Sequence, residues 1–299
     1  MDNYTRMKML EKPTGMVDAV LDTDTFNEID DQFALSYMIR SDDKINTKAV
    51  YAAPFFNFHS TSPADGMLKS YDEIKKLLGL LGREDVPVFK GSETYLTDEK
   101  TPVESDAARN LAELAMNYSS DNPLYVFSIG CITNVASAIL MKPEIIEKMV
   151  VVWLGGHSIH WPDTYEFNMQ QDFAAARIIF GSGVPLVHFP AKNVVSAFTI
   201  SEAELQRWFE NTTPIADYLA KNTIKEVTYA VGKPWTRVIW DVTTIGWVTG
   251  DYILTELMPA PIPEYDGHYS FDSRRHTIRA AYYIKRDDLF RDIVDKLTK

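Results

Sequence analysis

The chain has 299 residues, with 42 Asp plus Glu against 30 Lys plus Arg and a formal net charge of −12. Lys and Arg must supply the attraction to phosphate backbones or anionic lipid, so this balance argues against nucleic acid and membrane surfaces as partners. Hydrophobic residues at 45% and charged residues at 24% are ordinary globular usage, and the single cysteine, Cys131, removes any intrachain disulfide framework and fits a reducing compartment.

The first fifteen residues, MDNYTRMKMLEKPTG, alternate charged and apolar side chains and hold no apolar core of a signal peptide. The longest strongly apolar run, MVVVWLGG at 149–156, is far short of the roughly 20 residues a membrane span needs. These features lead us to expect a cytoplasmic protein. In chain order, six short β-branched runs follow: MVDAVL (16–21), TKAVYAAP (47–54), VPVFK (86–90), PLYVFSIG (123–130), MVVVWLGG (149–156) and VPLVHFP (184–190). Between them, DDQFALSYMIRS, MLKSYDEIKKLLGLLG, SDAARNLAELAMNYSS and TNVASAILMKPEIIEKM carry apolar residues at helical spacing, with Ser105 or Thr133 able to cap a helix start. Apolar runs bounded by turns and alternating with helices predict an α/β fold, a Rossmann-like open, mostly parallel sheet flanked by helices. After about residue 200 the segments SEAELQRWFENT, PIADYLAKNTIKEVTYAV and WDVTTIGWVTG predict a helical C-terminal third packed on that sheet, before a polar, strand-rich tail that closes in RDDLFRDIVDKLTK. With no repeat, low-complexity tract or Gly/Ser linker, residues 1–299 are expected to form a single domain.

Ligands of an open parallel sheet bind outside the carboxyl ends of its strands, where loops converge and helix N-termini point inward. The residues after each predicted strand are therefore the informative ones. After the first come Asp22, Asp24, Asn27, Glu28, Asp30 and Asp31; after the second, Phe56 and Asn57; after the fourth, Gly130, Cys131, Thr133 and Asn134; after the fifth, Glu166 and Asn168. Four aspartates within ten residues repel one another unless protons or a cation neutralise them. All nearby donors are oxygens, which favours Ca²⁺ or Mg²⁺ over zinc. An EF-hand is excluded because, counting from Asp22, its fifth, sixth and twelfth positions fall on Phe26, Asn27 and Phe33. A haloacid dehalogenase-type phosphatase is a weaker alternative, since VLDTDTF supplies both of its aspartates but puts Phe26 where Thr or Val belongs.

LDTDTFNEIDDQFAL resembles the DxDPGxDDxxA signature of the inosine-uridine-preferring nucleoside hydrolase family. SIGCITNVASAI resembles that family's G-x-x-TN-x-A segment, WLGG followed by EFNMQQDFAAA resembles its MGG…EFN…DP-x-AA region, and WDVTTIGW resembles its late HD segment. The resemblance implies the nucleoside hydrolase fold and a Ca²⁺-dependent hydrolysis of the N-glycosidic bond of a ribonucleoside, in which metal-bound water attacks the ribose and frees the base. It assigns the calcium ligands to Asp24, Asp31, the backbone carbonyl of Thr133 and Asp241, with Asp24 also the base and Asp22 in support. It assigns the ribose hydroxyls to Asp30, Asn57, Glu166 and Asn168. It implies a small-molecule partner and a homodimer or homotetramer. A dense anionic pocket suits the oxocarbenium-like state of glycoside cleavage.

Three departures shape the expectation. The family's Pro-Gly turn becomes the two-residue-longer Thr25–Ile29 stretch, the loop before Glu166 is shorter with His160 where an Asn is expected, and the histidine proton donor of many members is Trp240. Trp240 is not an acid but can stack on the leaving base. Of His157, His160, His268 and His276, the last, beside Arg274 and Arg275, is the favoured substitute acid and substrate contact. Cys131, Trp153 and Trp247 are expected to be packing residues. A calcium-dependent nucleoside- or ribose-binding protein without catalysis is the competing class.

Overall fold

The computed structural model describes residues 1–299. After a short helix α1 (Asn3–Met9), six strands follow with helices between them: β1 (Val17–Thr23), β2 (Ile45–Ala52), β3 (Val88–Lys90), β4 (Leu124–Ser128), β5 (Met149–Leu154) and β6 (Leu186–Phe189). The intervening helices are α2 (Ile29–Ile39), α3 (Pro63–Leu81), α4 (Asp106–Ala115), α5 (Thr133–Met141), α6 (Phe167–Gln171) and α7 (Phe173–Ser182). Each of the six runs forms a strand, and the central β4 and β5, covered by helices on both faces, are buried at every position whereas the edge strand β3 is not. Alternation still sorts them: Leu21, Tyr125 and Phe127 join one core cluster, while Val20, Leu124 and Val126 join the other across the sheet.

Local signals set the helix ends. Ser105 caps α4 by accepting from the Ala108 N–H, whereas Thr133 is not a cap: its hydroxyl donates to Asp172, and the residue at the cap position of α5 is Ile132. Pro143 ends α5 and passes the chain into a single 3₁₀ turn.

The sheet order is β3-β2-β1-β4-β5-β6-β12-β9. The C-terminal third supplies α8 (Glu202–Trp208), α9 (Pro214–Val231), α10 (Val242–Thr249) and α11 (Arg286–Thr298), as expected, but it does more than pack on the sheet. Its strands β9 (Ile253–Pro259) and β12 (Thr277–Ile284) extend the sheet itself, β12 parallel to β6 and β9 antiparallel to β12. Two small ribbons complete the structure: β7 (Thr199–Ser201) with β8 (Thr236–Val238), and β10 (Ile262–Pro263) with β11 (Tyr269–Ser270). No helix is long and apolar enough to cross a membrane. The order of strand addition reverses between β1 and β4, which are adjacent and parallel although β2 and β3 lie on the far side of β1. Such a switch point opens a crevice at the strand carboxyl ends.

Candidate functional site

That crevice is a cavity of about 280 Å³ at the carboxyl ends of β1, β4 and β5. Asp24, Asp30, Asp31, Glu166, Asn168, Trp240 and Asp241 all line it, so the structure unites most of the residues singled out in the sequence. β1 leads into the cavity wall at Asp24, and Asp22 is its penultimate residue. Its carboxylate accepts from Asn134 Nδ2 at 2.8 Å and Ser128 Oγ at 3.1 Å, and burial raises its pKa to about 7. Asn134 also receives the Ser92 N–H at 2.7 Å, so one buried amide ties the loops after β1, β3 and β4 together.

Asp24 is 1% exposed and neither of its carboxylate oxygens has a partner; Asp30 Oδ1 is likewise buried and unpartnered. Carboxylate oxygens of Asp30, Asp31 and Asp241 lie within 4.8 Å of one another. Burial and then the neighbouring carboxylates push Asp24, Asp31 and Asp241 well above the usual carboxylate range, and Asp30 to about 7. Buried anions without partners are costly, and an oxygen-coordinating divalent cation would satisfy the orphaned atoms and the mutual repulsion together. Gly130 allows the close approach: a Cβ there would stand 3.0 Å from Asp24 Oδ1 and 3.1 Å from the Asp24 nitrogen.

Glu166 caps α6, accepting from the N–H groups of Asn168, Met169 and Gly156, and burial raises its pKa to about 7. Asn168 donates to the carbonyls of Ile129 at 2.9 Å and Leu154 at 3.0 Å, which fixes its carboxamide at the seam between β4 and β5. Asn57 is not in the wall. It is half-buried and donates its Nδ2 to Oδ1 of the wall residue Asn27 at 2.5 Å, so the lengthened Thr25–Ile29 turn holds it in place.

Two expectations are corrected. Thr133 does not line the cavity; its hydroxyl is taken by Asp172 and Cys131, and the β4-end residue in the wall is Ile129. The motif located the loop but not which of its residues lines the crevice. His276 lies at the other end of the sheet, just before β12, which runs parallel to β6. Around it, Arg6 bonds the Gly183 carbonyl and Arg275 bonds the Phe180 carbonyl, both ahead of β6; burial and these two guanidinium groups lower its pKa to about 4. Of the other histidines weighed, His160 and His268 are exposed, and only His157 lines the cavity. Burial lowers the His157 pKa, and its Nδ1 accepts from the Lys192 N–H at 3.3 Å. Cys131, Trp153 and Trp247 are buried packing residues, as expected.

The cavity also contains Asn27 and Glu28 of the lengthened turn, and two residues that no motif marked, Lys192 and Arg237. Glu28, at the end of the long turn, forms an ion pair with Arg237 of β8, closing the β1 loop against the C-terminal third. The Lys192 ammonium lies 5.5 Å from the Trp240 ring centroid.

A family model described as inosine-uridine preferring nucleoside hydrolase matches residues 19–280. The pyrimidine-specific ribonucleoside hydrolase RihA of Escherichia coli O1:K1 / APEC is 24% identical over 272 residues, covering 81% of this chain and 86% of that protein. Among solved structures, the plant nucleoside hydrolase PpNRh1 superposes with a TM-score of 0.75 at 18% identity, covering 94% of this chain and 99% of its own. A purine-preferring ribonucleoside hydrolase from Gardnerella vaginalis gives 0.73 at 18% identity, covering 94% and 98%. At such identities the structural likeness carries the fold.

Proposed function

Because the chain belongs to the inosine-uridine preferring nucleoside hydrolase family and is thereby an N-glycosyl hydrolase, we propose that it hydrolyses a ribonucleoside-like substrate in the β1/β4 crevice with calcium as its cofactor. Family membership displaces the phosphatase alternative. The observation that carries the calcium reading is the set of buried, unpartnered carboxylate oxygens on Asp24 and Asp30 beside Asp31 and Asp241. Asp24, Asp31 and Asp241 would hold the ion, with the Ile129 carbonyl in the same wall as the main-chain candidate. When bound, such a cation lowers the pKa of water and orients vicinal hydroxyls.

The chain's own residues do the rest. Asp24, free of hydrogen-bond partners, accepts the proton of the attacking water, and the water oxygen adds to the ribose anomeric carbon as the bond to the base breaks. Asp30, Glu166 and Asn168 hold the ribose hydroxyls from the wall, joined by Asn57, which is bonded to Asn27 of that wall. Their anionic field stabilises the positive charge that develops on the ribosyl ring. The base nitrogen leaves with the bonding electron pair and takes its proton from solvent water, while Trp240 offers it an aromatic surface, as aromatic platforms do for bases generally. We read residues 1–299 as one such unit, working in the cytoplasm as a homodimer or homotetramer.

The test is release of free base from a panel of purine and pyrimidine ribonucleosides, with calcium and again after chelation. Chelator-sensitive release supports the reading, and the ranking of substrates identifies the base. Tight nucleoside binding with no release from any member would overturn it in favour of a binding protein.

A further inference from the structure

The cavity wall contains two cationic side chains that the hydrolysis of an uncharged ribonucleoside does not use. The Lys192 ammonium pairs with no carboxylate and donates no hydrogen bond; it lies over the face of Trp240, 5.5 Å from the ring centroid, and its charge also reaches His157. Arg237 gives a terminal nitrogen to Glu28, but its Nε–H is buried without a partner. This is unusual company for a site whose reacting centre becomes positive. An ammonium beside a ribosyl cation opposes the reaction, and a buried N–H left unbonded costs free energy. Both costs are relieved if the ligand itself brings an anionic acceptor.

Resting on the hydrolase reading, we infer that the preferred substrate of this pocket is a ribosyl compound bearing an oxyanion, a phosphate or a carboxylate, received by Lys192 and the Arg237 Nε–H. Without those two cations, the carboxylates of Asp24, Glu28, Asp30, Asp31, Glu166 and Asp241 would repel such a substrate. The oxyanion has two sources, a phosphate on the ribose or a carboxylate on the leaving base.

Matched pairs separate them: uridine against uridine 5′-monophosphate and inosine against inosine 5′-monophosphate in one arm, uridine against orotidine in the other. In at least one arm the anionic member is expected to show kcat/KM about 10- to 100-fold above its neutral partner at low salt, the range of a charge-assisted hydrogen bond. Lys192→Met should bring that ratio close to one, and Lys192→Arg should restore most of it. Neutral partners equal to or better than the anionic ones in both arms would overturn the inference. If no compound is cleaved, the hydrolase reading fails on its own, and calorimetry of the same pairs then judges the anion inference: tighter binding of an anionic member that Lys192→Met abolishes upholds it, and equal affinities overturn it.

Discussion

Asp241→Asn should invert the usual sign of a damaging mutation. The carboxylate oxygens of Asp30, Asp31 and Asp241 lie within 4.8 Å of one another in the interior. At that spacing and an effective dielectric near 20, each ionised pair costs about 3.5 kcal/mol, so three pairs would cost of the order of 10 kcal/mol, comparable with the whole stability of a typical domain. Without metal the cluster therefore keeps protons, which relieves part of the repulsion, and removing one charge gains about 2 kcal/mol at pH 8. For a chain of this length the entropy of unfolding is roughly 0.6 kcal/mol/K, so metal-free Asp241→Asn should melt about 3 °C above the metal-free parent. Calcium at a thousand times its Kd should stabilise the parent by about 4 kcal/mol, raising its Tm by roughly 6–7 °C, and leave the variant almost unmoved. Calorimetric scans of both proteins, with chelator and with calcium, check this. A parent whose Tm ignores calcium, or a variant that shows the parent's full calcium shift, would refute the assignment of these carboxylates to a cation.

Asp24→Asn should lower kcat/KM by about 10²- to 10⁴-fold while the protein still melts cooperatively; steady-state kinetics at the parent's level would remove Asp24 as the base. Glu166 has a folded-state pKa raised by burial from 4.5 to about 7, so its contribution to stability is present below about pH 4.5 and is lost as pH rises through 7. That shift is of the order of 3 kcal/mol, and the Tm of metal-free protein should fall less between pH 5 and 8 in Glu166→Gln than in the parent. Equal slopes would show that Glu166 does not carry the titration. His276→Ala should leave turnover within about twofold, because the side chain lies at the amino end of β6; a tenfold loss in an intact fold would contradict that placement.

The strands were legible because their burial is local in character. A run such as MVVVWL, apolar at every position and stopped by Gly155 and Gly156, has few other destinations than a sheet covered on both faces. By contrast, FAAARIIFGS gave no helical stripe to read, since α7 lies between packed elements and buries Ala174, Ala175, Ala176, Ile178, Ile179 and Phe180 around much of its circumference. The entry of β9 and β12 into the main sheet was not legible either, because it depends on β12 meeting β6, 88 residues upstream or more. The acidic cluster declared itself through like charges placed directly after a buried strand. Lys192 and Arg237 did not, for their meaning lies in contacts with Trp240 and with Glu28, the latter 209 residues away. Thr133 and Ile129 mark the resolution of a motif, which identifies a loop without fixing which of its residues lines the cavity.

The position of β12 between β6 and β9 bears on how the chain comes off the ribosome. β9 is synthesised first, yet its sole sheet neighbour is β12, which emerges only with Thr277–Ile284. Until then β9 has no ladder to join, and β6 presents an open flank although the strands from β1 onward can already be assembled. A stop codon just before Thr277 would therefore delete two strands from the sheet for the loss of one from the sequence, and expose the bare backbone of β6 to pairing with other nascent chains.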